Sequence, residues 1–447
     1  MKQITYKLQA RVIKTEDPRS FHSLLLLSLR HAPTLFTVRS LFLHPQPSIH
    51  CSTTFAWNTM IRAHITVVSS PLLAILLFSR MRFHSVPPDL YTFPLLLKTC
   101  SLSTSSPSAL SVGLSAHSLI LKLGFARDVY VRNTLIRFYS AAGRACRALE
   151  VFDEMPHRDS ISWSALISGL ASTGWDNLAL SAFRAMQIHA PDDPPDEITM
   201  LGVISAIGGL GELDLAIWVH SYILRRGLHP TVALGTALVD MFSACGSIGR
   251  AAWVFDRMPE RNLKAWTAMI GACAAHGRGS DAVQVFDEMT RSGLTPDHVT
   301  FIGVLTACSR GGLLNQGRRL FASIKGTFGM EPRMEHHGCV VDLLGRAGLI
   351  TEALEFIQTM PIRPNSVIWR TLLGACVNFG YVELAEQVKE RIAGLDEQGH
   401  DGDYVLLSNA YGGIGRWDEK DDVRRTMQHV GINKTPGCSL IGHHSIN

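Results

Sequence analysis

The chain lacks long apolar runs and is poor in charged residues. Its longest uninterrupted apolar stretch covers about eight residues, Pro71 to Phe78, whereas a membrane helix needs roughly 20. Charged residues make up 18% of the 447 positions and hydrophobic residues make up 46%. The short runs exclude a membrane-spanning protein. The high ratio of apolar to charged residues excludes a disordered chain.

Cysteine is present, but its spacing fits neither disulfides nor zinc. The nine cysteines are scattered, their number is odd, and no two of them form a Cys-x-x-Cys pair. A disulfide framework or a zinc ribbon would need paired spacing. We therefore interpret the cysteines as small buried side chains in a reducing compartment, and we expect no metal or other cofactor.

A large excess of positive charge is also missing. The net charge is +4, of which residues 1–53 contribute +5 and the remainder contributes −1. A protein that holds nucleic acid mainly by counterion release needs a larger basic excess. If this chain binds nucleic acid, local contacts in a groove must therefore dominate.

What the sequence does contain is an internal repeat of 103 residues. Four tryptophans in similar hexapeptides are spaced by 106, 103 and 103 residues: Trp57, Trp163, Trp266 and Trp369. A second string, Val-Phe-Asp-x-Met-Pro, begins at Val151 and again at Val254, 103 residues later. Agreement between independent markers indicates a repeat architecture, which has to be recognised before any other pattern.

Each period divides into three helix-pair units of about 31–36 residues. Apolar residues at i, i+3, i+4 and i+7 begin at Trp266 and, for a second helix, at Ala251. Further units are expected to start near Met200 and Thr236. Such a unit cannot bury its apolar face alone, so the units must stack. We predict an all-α, right-handed superhelical solenoid of helix-turn-helix repeats.

The unit boundaries carry helix stop and start signals. Proline ends one helix, and the Asp or Asn that follows it is suited to cap the next. This dipeptide precedes four of the units, as Pro88-Asp89, Pro195-Asp196, Pro296-Asp297 and Pro364-Asn365.

These strings resemble the pentatricopeptide repeats of plants, and specifically the PLS subclass, in which long, short and standard repeats alternate. Tetratricopeptide repeats have a similar length, but their Trp…Leu-Gly…Tyr signature is missing. The last two of the matching segments resemble the C-terminal E extension of the family. The segments are Trp57–Ile61, Tyr91–Cys100, Val151–Pro156, Glu335–Gly348, Gly402–Asn409 and Pro436–Ser439.

The resemblance implies two main regions and leaves the start of the chain open. Residues 54–365 would form the repeat array, and residues 366–441 would form the E-type extension of helical pairs. Residues 1–53 are basic and acid-poor, which is typical of an organellar transit peptide. The same residues also look like a decayed long-plus-short repeat, which is the interpretation we favour.

The resemblance further implies binding of single-stranded organellar RNA, one base per repeat. Two residues are expected to contact each base. One is a polar residue near the start of the first helix, and the other is the last residue of the repeat; we call them the specificity pair. The implied pairs are Asn58 with Asp89, Asn133 with Asp159, Ser164 with Asp196, Thr236 with Asn262, and Thr267 with Asp297. Four further pairs are expected to specify poorly: Pro94 with Asp128, Leu201 with Thr231, Ile302 with Arg333, and Gly338 with Asn365.

The family pattern also implies which bases are bound. Asn at the first place favours pyrimidines and Ser or Thr favours purines. Asp at the last place favours keto bases and Asn favours amino bases. With the N-terminal repeat on the 5′ base and Gly338 four nucleotides before an edited cytidine, Thr267 should face G at the sixth base upstream. Thr236 should face A at the seventh, Ser164 should face G at the ninth, and pyrimidines should stand at the tenth and twelfth.

The sequence predicts no catalytic site. Many relatives end in a cytidine deaminase domain that needs His-x-Glu and Cys-x-x-Cys around zinc, and this sequence contains neither motif. His443 and His444 lie near Cys438, but we interpret them as ordinary terminal residues. Leu440 stands where the family usually has Trp, so the extension departs from the family pattern near its end.

The resemblance therefore favours a site-recognition factor for C-to-U RNA editing. It would recruit a deaminase in trans, from a deaminase-bearing pentatricopeptide repeat protein or through editing cofactors. Two alternatives stay open: an organellar factor for RNA splicing, stability or translation, and a protein-binding helical scaffold without RNA. We expect the mitochondrion, with the chloroplast as the alternative, and neither a membrane nor a small-molecule substrate as a partner.

Overall fold

A computed structural model of the chain describes helices along most of its length. The described residues are 53–66, 70–104, 106–190, 192–228, 231–395, 401–429 and 431–432. The predicted head up to residue 52 lies outside them. So does the tail that contains Pro436–Ser439, Leu440, His443 and His444.

The chain divides into two compact units, Met1–His229 and Pro230–Asn447. The first unit contains α1 Thr54–Thr66, α2 Pro71–Phe83, α3 Thr92–Ser101, α4 Pro107–Lys122, α5 Val129–Ala141, α6 Ala145–Asp153, α7 Ser160–Ser172, α8 Asp176–His189, α9 Glu197–Leu210 and α10 Leu213–Arg225. The second contains α11 Val232–Ala244, α12 Ile248–Asp256, α13 Leu263–Ala275, α14 Gly279–Arg291, α15 His298–Arg310, α16 Leu314–Gly326, α17 Met334–Arg346, α18 Ile350–Gln358, α19 Ser366–Phe379, α20 Val382–Ala393, α21 Asp401–Gly413 and α22 Trp417–His429. Because every regular element in these ranges is helical, the predicted all-α solenoid of helix-turn-helix repeats is confirmed.

The helices alternate between a first and a second helix of each repeat. The first helices carry odd numbers and begin 31–38 residues apart, close to the predicted 31–36. Every third second helix is short: α6, α12 and α18 have nine residues each, and they begin 103 and 102 residues apart. This alternation agrees with the three-unit period in the sequence.

Two helices begin one turn earlier than expected. We expected units to start near Met200 and Thr236. In the structure, α9 begins at Glu197 and α11 begins at Val232. The first buried residues of these helices are Thr199 and Leu234, whereas each helix begins directly after its capping residue, Asp196 or Thr231. A start read from the stripe alone is therefore late by about one turn.

The apolar stripes form the core as predicted. The stripe that begins at Trp266 is buried, and so is the stripe that begins at Ala251. The two stripes meet where the Phe255 ring lies edge-on to Trp266, with ring centroids 4.9 Å apart. The same contact occurs 103 residues earlier between Phe152 and Trp163, at 4.6 Å. The same aromatic pair therefore recurs with the period of the sequence.

Small residues bring neighbouring first helices close together. A Cβ atom on Gly202 in α9 would lie 3.0 Å from the Cα of Ser168 in α7. A Cβ atom on Gly345 in α17 would lie 2.8 Å from the Cβ of Ala375 in α19. Neither site has room for a larger side chain without movement. Glycine therefore lets first helices pack side by side at these contacts.

Candidate functional site

In most repeats, the side chain of the last residue caps the first helix of the next repeat. Oδ1 of Asp159, Asp196 and Asp297 accepts a hydrogen bond from the backbone N–H three residues later, at 2.7, 2.7 and 2.8 Å. Asn262 and Asn365 do the same, at 3.1 Å each. The first N–H groups of a helix lack internal partners, so this bond fixes the side chain at the helix start.

A hydroxyl group adds to the cap in the four pairs with a polar first member that end in Asp. The same Oδ1 atom accepts a hydrogen bond from the side-chain hydroxyl three residues later. These hydroxyls belong to Thr92, Ser162, Thr199 and Thr300, at 2.9, 2.6, 2.6 and 2.8 Å. Asn262 is followed instead by Ala265, which has no hydroxyl. The chemistry beside the capping residue therefore differs between Asp and Asn repeats.

The pair Asn58 and Asp89 is in direct contact. Asn58 Nδ2 donates to Asp89 Oδ1 at 2.9 Å, and the Thr92 hydroxyl lies 2.8 Å from Asn58 Oδ1. Burial acts to raise the pKa of Asp89, but hydrogen bonds from Asn58, Thr92 and backbone N–H groups outweigh it, so the net pKa is lowered. The Thr92 hydroxyl has one proton, which Asp89 Oδ1 and Asn58 Oδ1 are both placed to accept, so the bond to Asp89 Oδ1 is what orients the Asn58 amide.

The pair Asn133 and Asp159 is similar. Burial acts to raise the pKa of Asp159, but hydrogen bonds from Ser162 and from the Asn133 side chain lower it further than burial raises it. Asn133 is 4% exposed, and its Oδ1 atom has no hydrogen-bond partner in the described part of the chain. A buried amide oxygen without a partner is uncommon in a folded protein.

The pair Thr267 and Asp297 is connected through a third residue. The Thr267 hydroxyl lies 2.8 Å from the Thr300 hydroxyl, which donates to Asp297 Oδ1 at 2.8 Å. In the pair Ser164 and Asp196, the corresponding link is absent within the described residues. There the Ser164 hydroxyl is buried and without a partner.

The pair Thr236 and Asn262 is the least constrained. The Thr236 hydroxyl donates to the carbonyl of Val232 in its own helix, at 2.7 Å. Asn262 is exposed and caps α13 through its amide oxygen. The two side chains of this pair are therefore each held by a helix backbone and not by a shared hydroxyl.

The first members of the pairs expected to specify poorly offer no polar side chain. Pro94 is buried, and Leu201 and Ile302 are half-buried apolar residues. Asp128 caps α5 by accepting from the Val131 N–H at 2.9 Å. Gly338 has no side chain to present. The first members of these pairs therefore lack a side-chain hydrogen-bonding group, and their weak selectivity for a base stays a prediction.

A row of exposed apolar side chains was missed in the sequence. Phe55, Tyr130 and Ile161 each stand three residues before the first member of a specificity pair and are 53–60% exposed. Four more repeats carry such a residue at the same place: Tyr91, Ile198, Val299 and Val367. The sequence feature that could have predicted this row is an apolar residue in the first turn of each first helix, on the side where the other residues are polar. Such side chains offer apolar surface to a stacked base.

The region predicted to form the E-type extension, residues 366–441, places an ion pair at the corresponding point. Arg370 in α19 binds Asp403 in α21 through two nitrogens, with Nε to Oδ1 at 2.8 Å and Nη2 to Oδ2 at 3.0 Å. The Asp403 side chain is 6% exposed and the Arg370 side chain 23%. Arg370 Nη1 also donates to the Ser366 hydroxyl at 3.3 Å.

Two structural features, metal-type side-chain clusters and membrane-length apolar helices, are absent from the described residues. Within them, no cluster of three or more His, Cys, Asp or Glu side chains has the arrangement of a metal site. None of the described helices combines the length and apolarity needed to cross a bilayer.

Comparison with known families identifies the class of protein. A model described as the PPR repeat matches residues 130–160, 161–189 and 236–263, and one described as the PPR repeat family matches 261–310. A model described as the E motif matches residues 379–442. The repeat matches fall within residues 130–310 and the E motif match begins at residue 379, so the predicted boundary between array and extension at residues 365 and 366 stays a prediction.

Whole-chain relatives place the protein in one family. The Arabidopsis thaliana "Pentatricopeptide repeat-containing protein At1g77170, mitochondrial" is 36% identical over 387 residues, which cover 86% of this chain and 81% of that protein. At1g59720 of the same plant, named "chloroplastic/mitochondrial", is 41% identical over 407 residues, 88% of this chain and 63% of that protein. The chain belongs to the pentatricopeptide repeat family. It spans less than two thirds of several relatives, including 58% of CRR2, named "chloroplastic".

A solved structure supports the same fold. The crystal structure of the pentatricopeptide repeat protein PPR10 from maize aligns with a TM-score of 0.58 and 19% identity. The alignment covers 89% of this chain and 61% of that one. At this identity the match shows the shared helical-repeat fold alone.

Proposed function

We propose that this chain binds single-stranded RNA one base per repeat and serves as a site-recognition factor for C-to-U editing in an organelle. The observation that carries the proposal is the repeated geometry of the specificity pairs. Asn58 contacts Asp89, Asn133 contacts Asp159, and Thr267 reaches Asp297 through one hydroxyl. Each of these pairs presents fixed hydrogen-bonding groups at the start of a first helix.

The exposed apolar row supplies the second half of a base-binding site. Tyr130 stands one helical turn before Asn133, and Ile161 stands one turn before Ser164. Single-stranded bases stack on such side chains while their Watson–Crick edges meet polar groups. This combination favours RNA over a protein partner, because a protein scaffold has no need of a polar pair at the same place in five of its repeats.

The charge distribution is compatible with this mode of binding. The sequence outside residues 1–53 carries a net charge of −1, so affinity from phosphate contacts is limited. Stacking and base-edge hydrogen bonds therefore have to supply most of the affinity. A weak salt dependence of binding is expected in consequence.

The editing role is supported by the E motif match at residues 379–442. The sequence has no His-x-Glu and no Cys-x-x-Cys, the zinc and proton-transfer motifs of cytidine deaminases. We therefore propose a binding protein without catalysis, whose deaminase is supplied in trans. Relatives named chloroplastic or mitochondrial support an organellar location. We propose the mitochondrion, with the chloroplast as the alternative.

Two measurements test the proposal in separate steps. The purified chain should bind an RNA with the implied bases and should leave its cytidine unconverted. In a plant that lacks the gene, sequencing of organellar transcripts should show loss of conversion at one or a few cytidines preceded by those bases. Binding with unchanged conversion would favour the splicing, stability or translation role. Absence of RNA binding would favour the protein scaffold.

A further inference from the structure

Three side chains form a hydrogen-bonded chain at the repeat of Thr267. The Thr267 hydroxyl lies 2.8 Å from the Thr300 hydroxyl, and the Thr300 hydroxyl lies 2.8 Å from Asp297 Oδ1. Thr300 is 0% exposed, so it cannot touch a ligand itself. It belongs to α15, the first helix of the next repeat, whose own pair of Ile302 and Arg333 is expected to specify poorly.

The direction of this chain follows from the number of protons. A carboxylate only accepts hydrogen bonds, and a threonine hydroxyl has one proton to donate. If Thr300 gave its proton to Thr267, its oxygen would face the carboxylate with no proton between them. Charge-assisted hydrogen bonds are also roughly twice as strong as neutral ones. Thr300 therefore donates to Asp297, and Thr267 donates to Thr300.

This direction fixes what Thr267 can offer to a base. Its only proton is directed to Thr300, so the remaining lone pairs make it a hydrogen-bond acceptor. Guanine carries an N–H group at N1 in the middle of its Watson–Crick edge, whereas adenine carries a bare nitrogen there. An acceptor at this place pairs with guanine and is repelled by adenine.

The repeat of Thr236 lacks the same constraint. Residue 265, which corresponds to Thr300, is an alanine, and Asn262 replaces the carboxylate. The Thr236 hydroxyl donates to the Val232 carbonyl at 2.7 Å, an optional bond that the hydroxyl can leave by rotation. It can then donate to the bare N1 of adenine. The contrast between the two repeats parallels the implied preference for G at one and A at the other.

We propose that Thr300 is a positioning residue that makes Thr267 a fixed hydrogen-bond acceptor and so selects guanine over adenine. The inference rests on the proposed RNA-binding function and adds a third, buried member to the specificity pair. That member comes from a repeat whose own pair is expected to contribute little selectivity.

The test uses the full chain and RNAs that differ only at the sixth base upstream of the cytidine. The base is guanine, adenine or inosine, which keeps the N1 proton but lacks the 2-amino group of guanine. The native chain should bind the guanine and inosine RNAs on the order of tenfold more tightly than the adenine RNA. Thr300→Val, which removes the hydroxyl at nearly constant volume, should reduce this ratio to about one.

Two control variants separate positioning from folding. Thr300→Ser keeps the hydroxyl in a smaller side chain and should retain the ratio. Thr306→Val removes a different hydroxyl of α15, one that lies 3.5 Å from Cys339 Sγ, and should leave the ratio unchanged. Because each ratio compares RNAs on one preparation, a partly unfolded variant still reports it correctly.

Each outcome decides the question. Loss of the ratio in Thr300→Val with retention in Thr300→Ser supports the inference. An unchanged ratio in Thr300→Val, or equal loss in both variants, overturns it. A native chain that binds all three RNAs equally also overturns it but leaves RNA binding intact. A native chain that binds none of them overturns the proposed function and the inference together.

Discussion

The repeat array and the C-terminal extension place different chemistry at the same point of a repeat. Thr267 contacts Thr300, and Arg370 contacts Asp403, in both cases a residue 33 positions later in the next first helix. The first contact is neutral and leaves acceptor lone pairs unused. The second joins two opposite charges, and Asp403 accepts from two nitrogens of Arg370.

This difference shows that the shared helix geometry does not by itself determine the polar chemistry at this point of a repeat. The guanidinium of Arg370 is held by Asp403 and by the Ser366 hydroxyl, so most of its donors face the protein. A base at this place would have to compete with a buried carboxylate. The array and the extension share helix geometry, but the array keeps the position suited to a base.

The largest expected effect comes from breaking the ion pair of the extension. Asp403→Asn leaves the Arg370 charge without its carboxylate partner in a mostly buried setting. Removal of one partner from a buried pair costs about 3 kcal/mol. Hydrogen exchange should show faster opening of α19 and α21, and urea should unfold this region earlier. The ranking of RNAs by the array should stay the same.

The control for this variant is an exposed pair of the same extension. Arg425 and Asp422 lie 3.3 Å apart, with side chains 74% and 69% exposed. Asp422→Asn should change stability by less than about 0.5 kcal/mol, because solvent screens exposed pairs. Equal effects of the two variants would show that the Arg370 pair has no special structural role.

The second effect compares glycines of the two regions. Gly202 in the array lies against the Ser168 backbone, whereas nothing lies within 4 Å of a Cβ atom built on Gly374 in the extension. Gly202→Val should destabilise by about 2 kcal/mol through overpacking. Gly374→Ala should stabilise by roughly 0.5–1 kcal/mol, because alanine favours a helix over glycine. Thermal denaturation of both variants checks the opposite signs.

The sequence predicted the helices, the apolar stripes and the capping residues. Each of these features depends on residues within one or two repeats, so it leaves a periodic trace in the chain. Four residues were expected to cap a helix after a proline, and Asp196, Asp297 and Asn365 do so at the N-cap position. Asp89 also accepts from the first N–H groups of its helix, but the N-cap residue there is Tyr91. Local chemistry is sufficient for this kind of prediction.

Two kinds of side-chain contact were not predicted: the hydrogen-bonded hydroxyls between repeats and the contacts of two arginines with helix ends. Arg158 and Arg261 lie 103 residues apart and each donates to the last carbonyls of a short helix, at 2.8–3.1 Å. The sequence shows the spacing of these two arginines, but it does not show which carbonyl groups they contact. The link from Thr267 to Thr300 also joins residues of different repeats, and which hydroxyl meets which follows only from how the helices pack. The RNA contacts of the specificity pairs stay predictions.

The third effect concerns stacking. Tyr130 in the array and Val367 in the extension are 60% and 61% exposed at the same place of their first helices. Tyr130→Ala should weaken RNA binding about tenfold, since stacking contributes roughly 1–3 kcal/mol per base. Val367→Ala should leave the affinity for RNA unchanged, because the neighbouring Arg370 is already paired with Asp403 and is not available to a base. A loss of affinity in Val367→Ala would extend the RNA site into the extension.

The next effect tests the first member of one specificity pair. Thr236→Asn should weaken binding to an RNA with adenine at the seventh base upstream by several-fold, about 1 kcal/mol. The preference should move toward a pyrimidine, because the longer amide reaches a smaller base. A panel of four RNAs that differ at this base measures the change. An unaltered ranking would contradict the one-repeat-one-base interpretation.

The smallest expected change in base preference comes from Asn262→Asp alone. The change should be larger when a second substitution also introduces a hydroxyl. Asp159 and Ser162, 103 residues earlier, show the arrangement that the double variant Asn262→Asp with Ala265→Ser would recreate. The single variant supplies a carboxylate but no hydroxyl between the carboxylate and Thr236. Its affinity for the guanine RNA should therefore exceed its affinity for the adenine RNA by only about twofold. The double variant should favour guanine by about fivefold, measured on RNAs that differ at the seventh base. Ala265→Ser alone should keep adenine, because an uncharged amide does not fix the direction of the hydroxyl. If the single and double variants prefer guanine equally, the hydroxyl has no part in the choice of base.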